Sequence, residues 1–284
     1  MSDKKILSVK NDVVFRMFFA DERNQDLLIS FLKSVLKLSD DDYNEIVITD
    51  PHLLPEFIGD KLSIIDVKLR TKTGKVIQIE IQLEVRPDMS KRIVFYDSKL
   101  VTEQLSESEQ YNDIRQVISI IITNETLIKN SEGTLVVPRY HHRFTFYDSE
   151  ARIEFSDIIE IHTLELPKLP ERTDGTPLYD WAKFIAAETE EELNMAAERN
   201  PEVQKAVVRL EVLSGDERAR YIAEMKLKAR RDMASREYYA REQGMEQERE
   251  KWQGVVSKKD AEITGKNSEI ENLRAQIAEL TAKV

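Results

Sequence analysis

The sequence contains no cysteine among its 284 residues, and it has no long apolar run. The absence of cysteine excludes disulfide bonds and zinc sites that use thiolate ligands. No apolar stretch approaches the roughly 18 residues of a membrane-spanning helix, and the polar start of the chain lacks the apolar core of a signal peptide. These absences predict a soluble, cytoplasmic protein.

The chain also lacks an excess of positive charge. Its 42 lysines and arginines are outnumbered by 53 aspartates and glutamates, which gives a net charge of −11. Duplex DNA is bound through basic residues that neutralise phosphates. The negative net charge therefore weakens the case for a nucleic-acid-binding function without excluding it. The charge is uneven, because residues 218–236 hold seven basic residues against two acidic ones. A local basic patch of this kind can bind phosphate on an acidic protein.

Residues 60–82 predict a β-hairpin around which the rest of the chain is organised. Apolar and β-branched residues precede a polar turn, and residues 76–83 then alternate between apolar and polar side chains. Glu80 and Gln82 therefore share one face of the second strand. Asp66 lies among apolar neighbours in the first strand, where a carboxylate is costly unless another group compensates it.

The length of the turn decides whether Asp66 faces Glu80. A two-residue turn at Thr73 and Gly74 places Asp66 opposite Ile81, whereas a three-residue loop with Gly74 in the left-handed conformation places it opposite Glu80. Two opposed carboxylates repel each other unless a cation lies between them. Mg²⁺ is such a cation, since proteins bind it through one or two carboxylates together with water and phosphate.

An aspartate ending one strand, followed by Glu-x-Gln on the next, resembles the active-site core of PD-(D/E)XK nucleases. Within that superfamily the chain is most similar to the Rpn family of recombination-promoting nucleases and transposases, from about residue 10 to about residue 250. The motifs that carry the resemblance are K-N-D-V-V-F-R-M-F-F, D-V-K-L-R, G-K-V-I-Q-I-E-I-Q, R-I-V-F-Y-D-S-K-L and, later, W-A-K-F-I and A-R-E-Q-G-M-E-Q-E.

The resemblance implies an α/β, restriction-endonuclease-like core, with a mixed sheet flanked by helices, and DNA as the substrate. It implies that Asp66 and Glu80 bind Mg²⁺ (or Mn²⁺), and that Gln82 orients a water or contacts the phosphate. Most members carry Lys where this chain has Gln82. Because Gln82 is neutral, the missing positive charge is left for Lys68 or Arg92 to supply.

Helix-borne residues complete the predicted site. The resemblance places Arg92 and Tyr96 beside the core, where Arg92 binds substrate phosphate; the alternative is a surface arginine that covers a core tyrosine. Asp12 is either an accessory acid of the site or only a helix cap, a role that Asn11 fits equally well. Asp60 either shapes the turn before the hairpin or binds metal.

The rest of the chain predicts further elements and three regions. Amphipathic helices are expected over 11–20, 24–38 and 88–109, and strands over 116–123, 139–148 and 153–166. A proline-rich stretch over 167–177 marks the clearest boundary, and the chain reads as helical after it. The predicted regions are a nuclease-like domain over 1–167, a helical region over 178–245 and a coiled-coil segment over 246–284.

The last segment predicts a homodimer through the C-terminal helices. Apolar residues recur every seventh position, at Val256, Ile263, Ile270, Ile277 and Val284. Leu273 and Leu280 occupy d positions, and β-branched residues at a with Leu at d favour a parallel dimer. Lys259 and Lys266 occupy two earlier d positions, so only the final two heptads are strong.

These observations favour a metal-dependent DNA endonuclease linked to recombination or to mobile-element or defence biology. The alternative is a non-catalytic, dimeric, DNA-associated or regulatory protein that retains the nuclease fold, which the acidic charge and Gln82 would suit. Asp66 and Glu80 favour the nuclease, because facing carboxylates without a function only destabilise a sheet. A strand-transferring transposase would need a DNA-end-recognition domain, and the sequence shows no zinc finger.

Overall fold

The computed structural model describes residues 6–49, 52–53, 63–64, 66–105, 110–129 and 137–281. Asp60 and Val284, which the sequence analysis singles out, lie outside the described residues. The chain divides into two compact units, Met1–Met225 and Lys226–Val284. The three-part division of the sequence at residues 167, 178 and 246 stays a prediction.

Buried apolar stripes hold the first two N-terminal helices in place, and a side-chain cap begins the first of them. Helix α1 (Asp12–Phe19) begins at Asn11, whose side chain accepts hydrogen bonds from the backbone N–H groups of Val13 and Val14. Helix α2 (Gln25–Val35) and the short helix α3 (Asp40–Asn44) follow. The apolar faces of α1 and α2 are fully buried, which anchors this end of the chain in the main core.

A mixed six-stranded sheet forms the centre of the first unit. Its strands are β1 (Ile46–Thr49), β4 (Val67–Thr71), β5 (Val76–Gln82), β6 (Val117–Thr123), β7 (His141–Asp148) and β8 (Ile153–Glu165), in the order β1-β4-β5-β6-β8-β7. Strands β5, β6 and β8 run parallel, and the other neighbours pair antiparallel. Strands β2 (His52–Leu53) and β3 (Ser63–Ile64) pair separately.

The β4–β5 hairpin has the three-residue loop that places Asp66 opposite Glu80. The N–H of Thr71 donates to the carbonyl of Lys75 at 2.9 Å, and Gly74 adopts a φ of 91°, which favours glycine. Val67 pairs with Ile79 in this register. Because Asp66 directly precedes Val67, it continues the register opposite Glu80, and the register expected for the three-residue loop is confirmed.

Helices cover both faces of this sheet. Helix α4 (Met89–Thr102) packs on the face that carries Glu80, through Met89, Ile93 and Leu100. It ends earlier than the predicted helix over 88–109, and the side chain of Gln104, just beyond its end, exchanges two hydrogen bonds with the backbone of Arg115. The opposite face packs against α1 and α2.

Helices after the proline-rich stretch complete the core of the first unit. They are α5 (Pro177–Ala186), α6 (Glu190–Ala197) and α7 (Pro201–Gly215). Trp181 of α5 lies with its ring centroid 6.1 Å from that of Phe19 and 5.9 Å from that of Phe31. The predicted fold class is confirmed: a mixed sheet is flanked by helices and followed by a helical C-terminal region.

Helix α8 (Glu217–Thr281) continues without interruption for 65 residues. Its apolar heptad residues are exposed, with Ile270 46% and Leu273 51% accessible. None of the described helices combines the length and the apolar character that crossing a bilayer requires.

Candidate active site

Asp66 lies at the edge of the sheet where β4 begins, and its carboxyl group is buried. Its Oδ2 accepts a hydrogen bond from the backbone N–H of Ile81 at 2.8 Å. Burial and the neighbouring carboxylates of Glu80 and Asp12 together raise the pKa of Asp66 to about 7, against the opposing effect of Ile81 and Arg16. Asp66 is therefore a carboxyl group whose negative charge is incompletely compensated.

Glu80 lies on β5, on the face covered by α4. The amide of Gln82 donates a short hydrogen bond to Glu80 Oε1, and a guanidinium nitrogen of Arg92 lies 3.7 Å from the same oxygen. Burial raises the pKa of Glu80, while Arg92 and Gln82 lower it. The structure thus brings Asp66 and Glu80 close to Gln82 and Arg92, and the role of these residues as one active site stays a prediction.

Asp12 also lies close to this site. Because Asn11 is the residue that caps α1, Asp12 falls within the first turn of the helix, and its charge raises the pKa of Asp66. Arg16, one turn later on α1, lowers the same pKa. Arg16 was not predicted as a site residue, although its spacing of four residues from Asp12 places both on one side of the helix. The role of Asp12 as an accessory acid stays a prediction.

The remaining predicted substrate-binding residues differ in position. The guanidinium of Arg92 lies 5.5 Å from the ring centroid of Tyr96, so the tyrosine supports the arginine from one turn away. Lys68 Nζ lies 3.7 Å from the carboxylate of Glu103. Of the two cations expected to replace the missing lysine, Arg92 is therefore the one beside Glu80, and Lys68 is engaged elsewhere.

A buried polar cluster under the site was not anticipated. Asp97 of α4 is fully buried, and its Oδ1 accepts hydrogen bonds from Gln78 Nε2 at 2.5 Å and from the hydroxyl of Ser119. Gln78 shares a strand face with Glu80, two residues away. A signal existed in the sequence, because Asp97 occupies the apolar stripe of its helix between Ile93 and Leu100.

The unpaired atoms of this cluster indicate where a proton lies. Asp97 Oδ2 and Gln78 Oε1 are both buried acceptors without a hydrogen-bond partner in the described part of the chain. Burial raises the pKa of Asp97 to about 7, against the opposing effect of Ser119 and Gln78. We infer that Asp97 is protonated in the folded protein, since a proton makes Oδ2 a donor that could pair with Gln78 Oε1 and removes the cost of a buried negative charge.

Two carboxylates are the protein ligands that this site offers to a metal. Within the residues that the structure describes, no group of three or more His, Asp or Glu side chains is arranged to hold an ion. Asp66 and Glu80 nevertheless fit a hard cation that keeps most of its water ligands. Burial is the main cause of the raised pKa of both carboxyl groups, and a nearby divalent ion would lower both values.

Protonation of Asp97 beside Gln78 predicts a specific pH dependence of the free energy of unfolding. A carboxyl whose pKa rises from 3.8 unfolded to about 7 folded stabilises the protein below pH 3.8, and this stabilisation is lost as the pH rises toward 7. Asp97→Asn reproduces the hydrogen bonds of the protonated acid. We expect it to reduce the decline of the unfolding free energy over this range, by up to about 1.4 kcal/mol per pH unit.

Urea unfolding of the full chain at pH 4.5 to 7 measures this slope. Asp97→Leu serves as the contrast, because it removes one of the two hydrogen-bond partners of Gln78 and leaves only Ser119, which should cost about 1–3 kcal/mol. An Asp97→Asn variant with the same slope as the parent chain would show that Asp97 carries no proton.

Comparison with known proteins agrees with this geometry. The family model described as PD-(D/E)XK nuclease family transposase matches residues 9–240, which include the hairpin, both helices that flank the site and α5 to α7. No curated protein matches the chain, and no solved structure matches it. The family predicted from the sequence motifs is confirmed: the chain belongs to the PD-(D/E)XK nuclease family transposases.

Proposed function

We propose that the protein is a divalent-metal-dependent DNA endonuclease that acts in the cytoplasm, with Asp66, Glu80 and Gln82 at its active site. The observation that carries the proposal is the pairing of a buried carboxyl group, Asp66, with a partly buried one, Glu80, both with raised pKa values. A structural role would be better served by apolar residues at these positions. Family membership supports nuclease-type hydrolysis and binding to DNA.

Asp66 and Glu80 would hold Mg²⁺ (or Mn²⁺), the class of ion that nucleases of this superfamily typically use. When bound, such an ion supplies Lewis-acid activation of water and neutralises charge on the phosphate. The hydrogen bond from Ile81 fixes one oxygen of Asp66 and leaves the other for a further partner. Gln82 orients Glu80 through its amide and is positioned next to the same site to orient the attacking water.

Arg92 supplies the positive charge that Gln82 does not. Its side chain is 40% exposed, so a phosphate can reach the guanidinium, which forms paired hydrogen bonds with phosphate oxygens. The ring of Tyr96 packs against the guanidinium and restricts its movement. Lys68 binds substrate only if DNA displaces Glu103 from its ion pair with this lysine. The family description as transposases supports a link to mobile elements or recombination.

A non-catalytic, DNA-associated role is the second candidate, and one observation favours it. Glu80 is compensated by Gln82 and Arg92 without any metal, so this half of the pair is satisfied within the chain. Asp66 has no comparable cationic partner in direct contact among the described side chains. A nuclease therefore needs the carboxylate of Asp66 for cleavage, whereas a non-catalytic DNA-associated protein does not.

Plasmid cleavage in Mg²⁺ and in Mn²⁺ tests the endonuclease. Asp66→Asn and Glu80→Gln preserve side-chain shape, and each should reduce nicking at least about 100-fold, as loss of a key electrostatic group does in other enzymes. Asp157→Asn, at an exposed carboxylate of β8, is the matched control and should cleave as the parent chain does. Cleavage that is absent from the folded parent chain, or equal in all variants, would favour the non-catalytic role.

The exposed heptads of α8 support a homodimer through this helix. Ile270→Lys places a charge at an a position, whereas Glu271→Lys places the same residue beside it on the outer face of the predicted pair. Sedimentation of the full chain should give a dimer that Ile270→Lys shifts toward monomer and Glu271→Lys does not. A parent chain that sediments as a monomer at high concentration would contradict the pairing.

A further inference from the structure

A cavity of about 580 Å³ lies beside the candidate active site, on the same face of the sheet. Apolar side chains form most of its wall: Val85, Ile93, Val94, Leu127, Phe144 and Ile161. Its volume falls within the range of small-molecule sites in proteins. Arg86 and Lys129 also line it, and both are exposed.

The sheet register connects this cavity to Glu80. Glu80 on β5 neighbours Ile121 on β6, and Ile121 neighbours Thr163 on β8, so the three residues form one row across the sheet. Two strand spacings separate Glu80 from Thr163, which is on the order of 10 Å. Helix α4 joins the two places again, because Arg92 contacts Glu80 and the next residue, Ile93, lines the cavity.

Thr163 gives the cavity a specific polar requirement. Its side chain is 2% exposed, and Oγ1 is buried without a hydrogen-bond partner within the described residues. A buried hydroxyl of this kind is destabilising unless a ligand or a water pairs with it. Thr163 therefore favours a ligand that presents a donor or acceptor to its part of the cavity wall.

The combination of these features matches a nucleotide. A nucleobase offers a planar apolar face to Phe144 and a hydrogen-bonding edge to Thr163. Arg86 and Lys129 attract the phosphates of the same nucleotide. A purely aliphatic ligand would leave Thr163 unpaired and would make no use of the two cations. We propose that the cavity binds an unstacked base of the DNA strand held at the active site; this inference rests on the proposed nuclease function.

Binding of the four deoxynucleoside 5′-monophosphates, measured by calorimetry on the full chain in EDTA, tests the cavity without cleavage. Val94→Trp fills the cavity and should weaken binding at least tenfold. Val208→Trp is the control, because Val208 is a similarly exposed valine, on α7, and it should bind as the parent chain does. Thr163→Val removes only the hydroxyl, and its binding should weaken about fivefold.

Nucleotide binding tests the cavity proposal, and plasmid cleavage tests the nuclease proposal independently. Asp66→Asn should keep nucleotide binding while it abolishes plasmid cleavage. Nucleotide binding by a parent chain that does not cleave DNA would support the cavity and contradict the nuclease. No binding of any of the four nucleotides at millimolar concentration, or equal binding by Val94→Trp and Val208→Trp, would overturn the cavity proposal.

Discussion

The register of the β4–β5 hairpin is the constraint on which the candidate site depends. Side chains alternate between the faces of a strand, so a loop one residue shorter would place Ile81 opposite Asp66 and turn the acid away from Glu80. The three-residue loop, with Gly74 at a φ of 91°, prevents this. Gly74 thereby determines that the carboxyl groups of Asp66 and Glu80 lie opposite each other, although both are distant from the turn.

Two buried carboxyl groups, Asp66 and Asp97, and the partly buried Glu80 lie close to one another at the candidate site, and each is stabilised differently. Glu80 has Gln82 and Arg92, and Asp97 is satisfied when it holds a proton. Asp66 has one backbone N–H, supplied by Ile81, and two acidic neighbours. The least compensated negative charge is thus that of Asp66, and a cation bound there would stabilise the protein most.

Local patterns in the sequence predict the hairpin and its neighbours, and long-range packing accounts for what they do not predict. Alternation on β5 and the glycine of the turn limit the hairpin to two registers, and the structure selects the one that places Asp66 opposite Glu80. The pairing of Lys68 with Glu103 was not predictable, because it depends on where α4 crosses the sheet. The contact of Trp181 with Phe19 likewise joins segments separated by the whole sheet. Asp97 was overlooked although its place in an apolar stripe indicated burial.

Titration of the Asp66 carboxyl by NMR, with selectively ¹³C-labelled aspartate in the full chain, tests the central claim most directly. Without metal, Asp66 should titrate near pH 7, far above its ordinary value of 3.8. Mg²⁺ should lower this pKa, and Glu80→Gln should lower it as well by removing a neighbouring charge. An Asp66 that titrates near 3.8 and does not respond to Mg²⁺ would contradict the account of this site as a metal-binding pair.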